Sequence, residues 1–180
     1  AVLPAAVEAA TIYSWEAGLD GWAADTVGGF SIATTSVLGV TDGASAVQLT
    51  APASSMWYSQ GFNRSLNSSE LSQIFNGATQ VGMGVTYNPG SDTWYLDGNV
   101  TLIVQSEKVG WTELGGVNVA KGTTPTMASW SISSTMAADL ATSSWGQLVL
   151  KLTYGNGGSA PSVFYADNFT TNATAPIPEP

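Results

Sequence analysis

In four stretches of this chain, large apolar side chains fall on every second residue. Val81, Met83, Val85 and Tyr87 alternate with Gly82, Gly84 and Thr86. Leu148, Leu150, Leu152 and Tyr154 alternate with Gln147, Val149, Lys151 and Thr153. Phe30 and Ile32 alternate with Ser31 and Ala33, and Val47 and Leu49 with Ala46 and Gln48. A period of two places one face of a strand in a core and the other toward solvent or ligand. Turn clusters separate these runs, at Asp42-Gly43, Asn88-Pro89-Gly90, Asp97-Gly98 and Asn156-Gly157-Gly158. Many short strands at this spacing predict an all-β sandwich.

One short helix is signalled within this pattern. Asn67 can cap it, Glu70 closes a capping box, and Leu66 with Leu71 forms a hydrophobic staple. Leu71, Ile74 and Phe75 then share a face, and Gly77 can end the helix. Ser134 to Leu140 reads as a second helical turn. Residues 1–10, rich in Ala, show no strand pattern. They read as a flexible segment, either a frayed end or the new end left by removal of a signal peptide. Residues 11–170 are expected to form the domain. Residues 171–180, made of Thr, Asn, Ala, Ile, Glu and Pro, read as a flexible tail.

Composition narrows the chemistry. At 180 residues the chain is long enough for one domain with a sizeable core and no staples. Charged residues are only 9%, and the net charge is −9, with Arg64, Lys108, Lys121 and Lys151 as the cations. A nucleic-acid partner needs clustered Lys and Arg, and an anionic membrane surface needs the same. Neither fits. No apolar run reaches the length of a membrane span. The chain has no Cys and no His, so thiol chemistry, His or Cys metal sites and His-based triads are absent.

Three stretches, in order, resemble jelly-roll carbohydrate-binding modules of the galactose-binding-like type. Trp15-Glu16-Ala17-Gly18-Leu19-Asp20-Gly21-Trp22 resembles their opening strand. Gly39-Val40-Thr41-Asp42-Gly43 with Ala44 to Thr50 resembles the loop and strand that follow. Trp145 to Tyr154 and Phe164-Tyr165-Ala166-Asp167-Asn168-Phe169 resemble their last two strands. The resemblance implies a jelly-roll β-sandwich of two antiparallel sheets with one or two short helices in loops. It also implies a structural calcium held by Glu16 and Asp167, with Asp42 or neighbouring carbonyls contributing; hard oxygens of this kind suit calcium. It further assigns Trp15, Trp22 and Trp145 to the core. Pro176-Ile177-Pro178-Glu179-Pro180 resembles the start of the bacterial PEP-type C-terminal sorting signal, which implies a secreted or cell-surface protein of an exopolysaccharide-producing bacterium.

Seven Trp and six Tyr exceed what the core of a small sandwich needs. Trp57-Tyr58, Trp94-Tyr95, Trp111 and Trp130 are left over as candidate sugar platforms, with Gln105 as a hydrogen-bonding neighbour. An indole face stacks on the C–H face of a sugar ring while its N–H donates to a hydroxyl. The alternative for each is that it fills the core. A catalytic reading would need a close carboxylate pair, for which Glu107 and Glu113 are the candidates if Gly110 turns a hairpin between them. Lys108 beside Glu107 and the absence of a recognisable catalytic motif speak against an enzyme. Two functions stay open: a non-catalytic module that binds a polysaccharide through exposed aromatics, and a structural or adhesive matrix protein without a sugar site. Two tryptophans on one exposed face would favour the first.

Overall fold

The computed structural model describes residues 9–26, 28–52, 59–88, 97–153 and 161–174. Among the described residues, eleven strands form two antiparallel sheets that face one another across a core. The six-stranded sheet runs β3 (Ser31–Thr35), β4 (Ala46–Ala51), β11 (Ser162–Thr171), β6 (Gln80–Asn88), β9 (Thr126–Ser131), with β1 (Ala10–Tyr13) also paired to β11. The five-stranded sheet runs β2 (Ala23–Ala24), β5 (Ser59–Asn67), β10 (Trp145–Thr153), β7 (Gly98–Ser106), β8 (Thr112–Val119). This is the expected two-sheet sandwich.

The alternation read from the sequence sets the faces. Val81, Met83, Val85 and Tyr87 point inward with Leu49, Phe164 and Phe169, and all are buried. From the other sheet, Leu148, Leu150 and Leu152 pair with Val104, Leu102 and Val100 and close the layer. Burying one such side chain is worth roughly 1.5–3 kcal/mol, so these layers supply most of the driving force.

Two helices plug one end of the sandwich and pack on each other: α1 (Ser68–Phe75) and α2 (Ser134–Ala141). The capping box forms as expected. The Asn67 side chain accepts from Ser69 and Glu70 N–H, and Glu70 Oε2 accepts from Asn67 N–H at 2.8 Å. Glu70 also meets the Arg64 guanidinium. Arg64 takes an inward position on β5, opposite Leu148, and its charge is placed over the Tyr13 ring, 4.5 Å from the centroid. An inward cation is tolerated because the guanidinium is paired, stacked and bonded to the Asp20 carbonyl.

The ends are more ordered than the composition suggested. Ala10 and Thr171, both assigned to flexible segments, pair with each other across β1 and β11. Thr174 N–H donates to the Asn76 carbonyl beyond α1. Backbone pairing outweighs the weak strand propensity of Ala and Asn here.

Candidate functional site

The outward face of the five-stranded sheet is built by the residues between the inward leucines. Gln147 of β10 lies opposite Gln105 of β7 on one side and Ser65 of β5 on the other. Val149 lies between Ile103 and Asn63 in the next row. The turn after β7 continues the register, since Gly110 N–H donates to the Ser106 carbonyl at 2.9 Å. That places Trp111 opposite Gln105, at the β8 end of the glutamine row. Trp145 shares the parity of Gln147 and therefore the same face.

Both indoles are nearly half exposed, Trp111 at 44% and Trp145 at 45%. Trp145 opens β10 and Trp111 immediately precedes β8, the two strands that flank β7, so the pair is separated by two strand spacings of about 10 Å sideways and by two residues, about 7 Å, along the strands. Amide side chains between them offer donor and acceptor together. Gln147 Nε2 donates to Asn63 Oδ1 at 3.3 Å. Across β7, Lys151 Nζ meets Glu113 Oε1 at 2.9 Å. The face thus combines two flat apolar plates with neutral amides and one neutralised charge pair, a surface suited to a polyhydroxylated ligand.

The backbone at Trp145 is held by a clasp between the end of β7 and the start of β10. Glu107 accepts the backbone N–H of Ser144 and, more weakly at 3.4 Å, that of Trp145. The Ser144 N–H holds the Glu107 carboxyl below its ordinary value. Lys108 Nζ donates to the Thr142 carbonyl and hydroxyl, each at 2.8 Å, and the Ser143 and Ser106 hydroxyls are bonded at 2.9 Å. Three consecutive residues therefore grip the α2–β10 junction. Glu107 and Glu113, weighed above as a catalytic pair, are engaged by this clasp and by Lys151.

Two expectations about tryptophan are reversed. Trp130, a candidate platform, is 2% exposed, pairs with Val81 across β6 and β9, and donates its indole N–H to the Gly115 carbonyl at 2.9 Å. It shares the inward parity of Ala128, and the core takes it. Trp145, assigned to the core with Trp15 and Trp22, lies outward, whereas Trp15 and Trp22 are buried as expected. The parity of Gln147 and Lys151 was the signal that would have found it. Trp57, Tyr58, Trp94 and Tyr95 lie outside the described residues. The strand ends that flank them, Ala51 and Ser59, Asn88 and Gly98, lie at the end of the sandwich away from the helices.

The carboxylates expected to hold calcium do surround one loop. Asp167 is fully buried, and its Oδ2 accepts from Thr41 N–H (2.6 Å), Thr41 Oγ1 (2.9 Å) and Asp42 N–H (2.8 Å). Its Oδ1 accepts from Asn168 N–H at 2.8 Å. Glu16 Oε1 accepts from Ala44 and Ser45 N–H at 2.9 and 2.8 Å. N–H groups thus point at Asp167 Oδ2 and Glu16 Oε1, two of the oxygens a metal would use. Among the described residues, no three carboxylate, His or Cys groups come together as metal ligands. A separate recess of about 210 Å³ on the other sheet is lined by Ala9, Met127 and Ala128 together with polar groups that bond one another, Gln80 to Ser129 and Thr170 to the Gly82 carbonyl.

No protein-family model matches this sequence, and no curated protein matches it. Solved structures of the same architecture do. A family 61 carbohydrate-binding module, TmCBM61, solved with β-1,4-galactotriose, superposes with a TM-score of 0.53 at 11% identity, covering 88% of this chain and 92% of its own. The CBM22-1 xylan-binding domain of Paenibacillus barcinonensis Xyn10C gives 0.51 at 15% identity, covering 94% and 98%. The C-terminal family 22 module of Clostridium thermocellum Xyn10B gives 0.56 at 11% identity, covering 97% and 99%. At these identities the likeness shows the fold: this is a β-sandwich of the kind found in carbohydrate-binding modules. Fold alone does not carry function.

Proposed function

We propose that this domain is a non-catalytic carbohydrate-binding module that recognises a polysaccharide on the outward face of its five-stranded sheet. The observation that carries this reading is the pair Trp111 and Trp145, half exposed on one face, with Gln105 on the strand between them and Gln147 beside Trp145 on β10. Two stacking plates separated by amides suit an extended chain better than a single sugar. Trp57, Tyr58, Trp94 and Tyr95 are retained as further contacts. Pro178-Glu179-Pro180 supports action outside a bacterial cell, at its surface or in its exopolysaccharide. The engagement of Glu107 and Glu113 in structural bonds supports a binding rather than a catalytic role.

Affinity electrophoresis and calorimetry against xylohexaose and β-1,4-galactotriose, the ligands named for similar structures, are the first test, widened to a glycan array. Trp111→Ala and Trp145→Ala should each weaken binding at least about tenfold, the scale of one lost stacking contact of ~1.4 kcal/mol. Binding that survives both changes overturns this face as the site. A blank across bacterial, algal and plant polysaccharides moves the domain to the structural or adhesive reading.

A further inference from the structure

We infer that the 39–45 loop is locked by carboxylate-to-amide bonding where a metal would otherwise be needed, so that the domain folds and works without calcium. Asp167 occupies an outward position in the middle of β11, opposite Gly84 of β6, yet is fully buried because the loop lies over it. A carboxylate removed from water must be fully paired. This one is: four donors fill its two oxygens, three of them on Oδ2. Three donors on Oδ2 exceed the two lone-pair sites of that oxygen, so a cation could approach only at Oδ1, beside the Asn168 N–H.

The polarity of the loop makes the same point. At its far end Glu16 takes the Ala44 and Ser45 N–H groups. Five backbone N–H groups and one hydroxyl therefore converge on two carboxylates. Calcium is bound by carbonyl oxygens, which need these peptide units turned the other way. The loop is also shaped for this contact. Gly43 is left-handed at φ +68, and a Cβ there would strike the Glu16 carboxylate. Gly39, at φ +85, presses on the Tyr165 side chain, and Gly84 leaves the space that Thr41 fills.

The test is thermal unfolding of the purified protein in EDTA and in millimolar calcium, with elemental analysis after dialysis. We expect the same Tm in both and no retained metal. A rise of several degrees with calcium, or one retained equivalent, overturns the inference, since a ligand of the folded state alone must stabilise it. In EDTA, Thr41→Val should lower Tm by a few degrees, because it removes the hydroxyl donor and keeps the N–H. Asp167→Asn should lower it more, by setting an amide N–H₂ among N–H donors. If that variant does not fold, Thr41→Val and Glu16→Gln decide. An unchanged Tm in both would show that the clasp does not hold the loop.

Discussion

The two sheets present outward faces that are each covered in part, and the uncovered part of one carries two tryptophans. On the six-stranded sheet the outward residues include Gln48, Thr86, Tyr165, Asp167, Gly82 and Gly84, and the 39–45 loop lies over part of them. Thr86 and Asp167 are fully buried there. On the five-stranded sheet the outward residues include Ser65, Gln105, Gln147 and Lys151, with Trp111 and Trp145 standing half exposed beside them, while Thr101, Ile103 and Val149 further along the same face are buried. The covered face carries glycine where a loop must approach and a carboxylate that gathers its N–H groups. The other carries tryptophan and amides, whose large surfaces have value only if something comes to cover them. An outward face is thus distinguished by what covers it, which polarity alone does not reveal.

The sharpest way to break this contrast is to exchange the fates of two tryptophans. Trp130→Ala should destabilise the domain by about 3–5 kcal/mol, the cost of emptying a packed aromatic site. Trp145→Ala should cost less than about 1 kcal/mol in the same urea titration while removing sugar binding. Equal destabilisation by the two would mean that Trp145 is structural after all.

Glycine substitutions probe the two faces at lower energy. Gly84→Ala places a methyl against Thr41, which Asp167 already pins, and should cost about 1–3 kcal/mol. Gly116→Ala meets only the end of the Asn99 side chain, which can turn away, and should stay within about 0.5 kcal/mol. If both were tolerated alike, the loop would not be held tightly against its sheet.

The smallest effect is expected at Glu107. Its carboxyl is held low by the Ser144 N–H, so its folded pKa lies below its unfolded one. A group shifted this way contributes above the unfolded pKa, and the contribution is lost as pH falls through the folded value. Trp145 emission should therefore stay constant through neutral and mildly acidic pH and change only below the usual carboxylate range. Glu107→Gln should abolish that step; an identical acid step in the variant would assign it to another carboxylate.

Much of the architecture was legible because local and global signals agreed. The period of two in 81–87 and 147–153 placed inward and outward residues correctly, and Asn67 with Glu70 capped the helix where the sequence placed it. The site was harder to read. For Trp145 the motif resemblance pointed inward while strand parity pointed outward, and parity prevailed. For Trp130 an aromatic surplus suggested exposure, but its neighbours Ala128 and Ile132 are buried too and share its side. The direction in which a loop turns its peptide groups has no sequence signature, so the resemblance assigned Asp167 to a metal and the N–H groups it accepts from went unread.

The pairing of β1 with β11 brings the two ends of the fold together. Ala10 and Thr171 face each other on adjacent strands, at the edge where Thr174 meets Asn76. Polypeptide joined before the one and after the other would enter and leave at a single corner. A domain whose first and last strands meet in this way can be set into a surface loop of another protein without prising that protein apart.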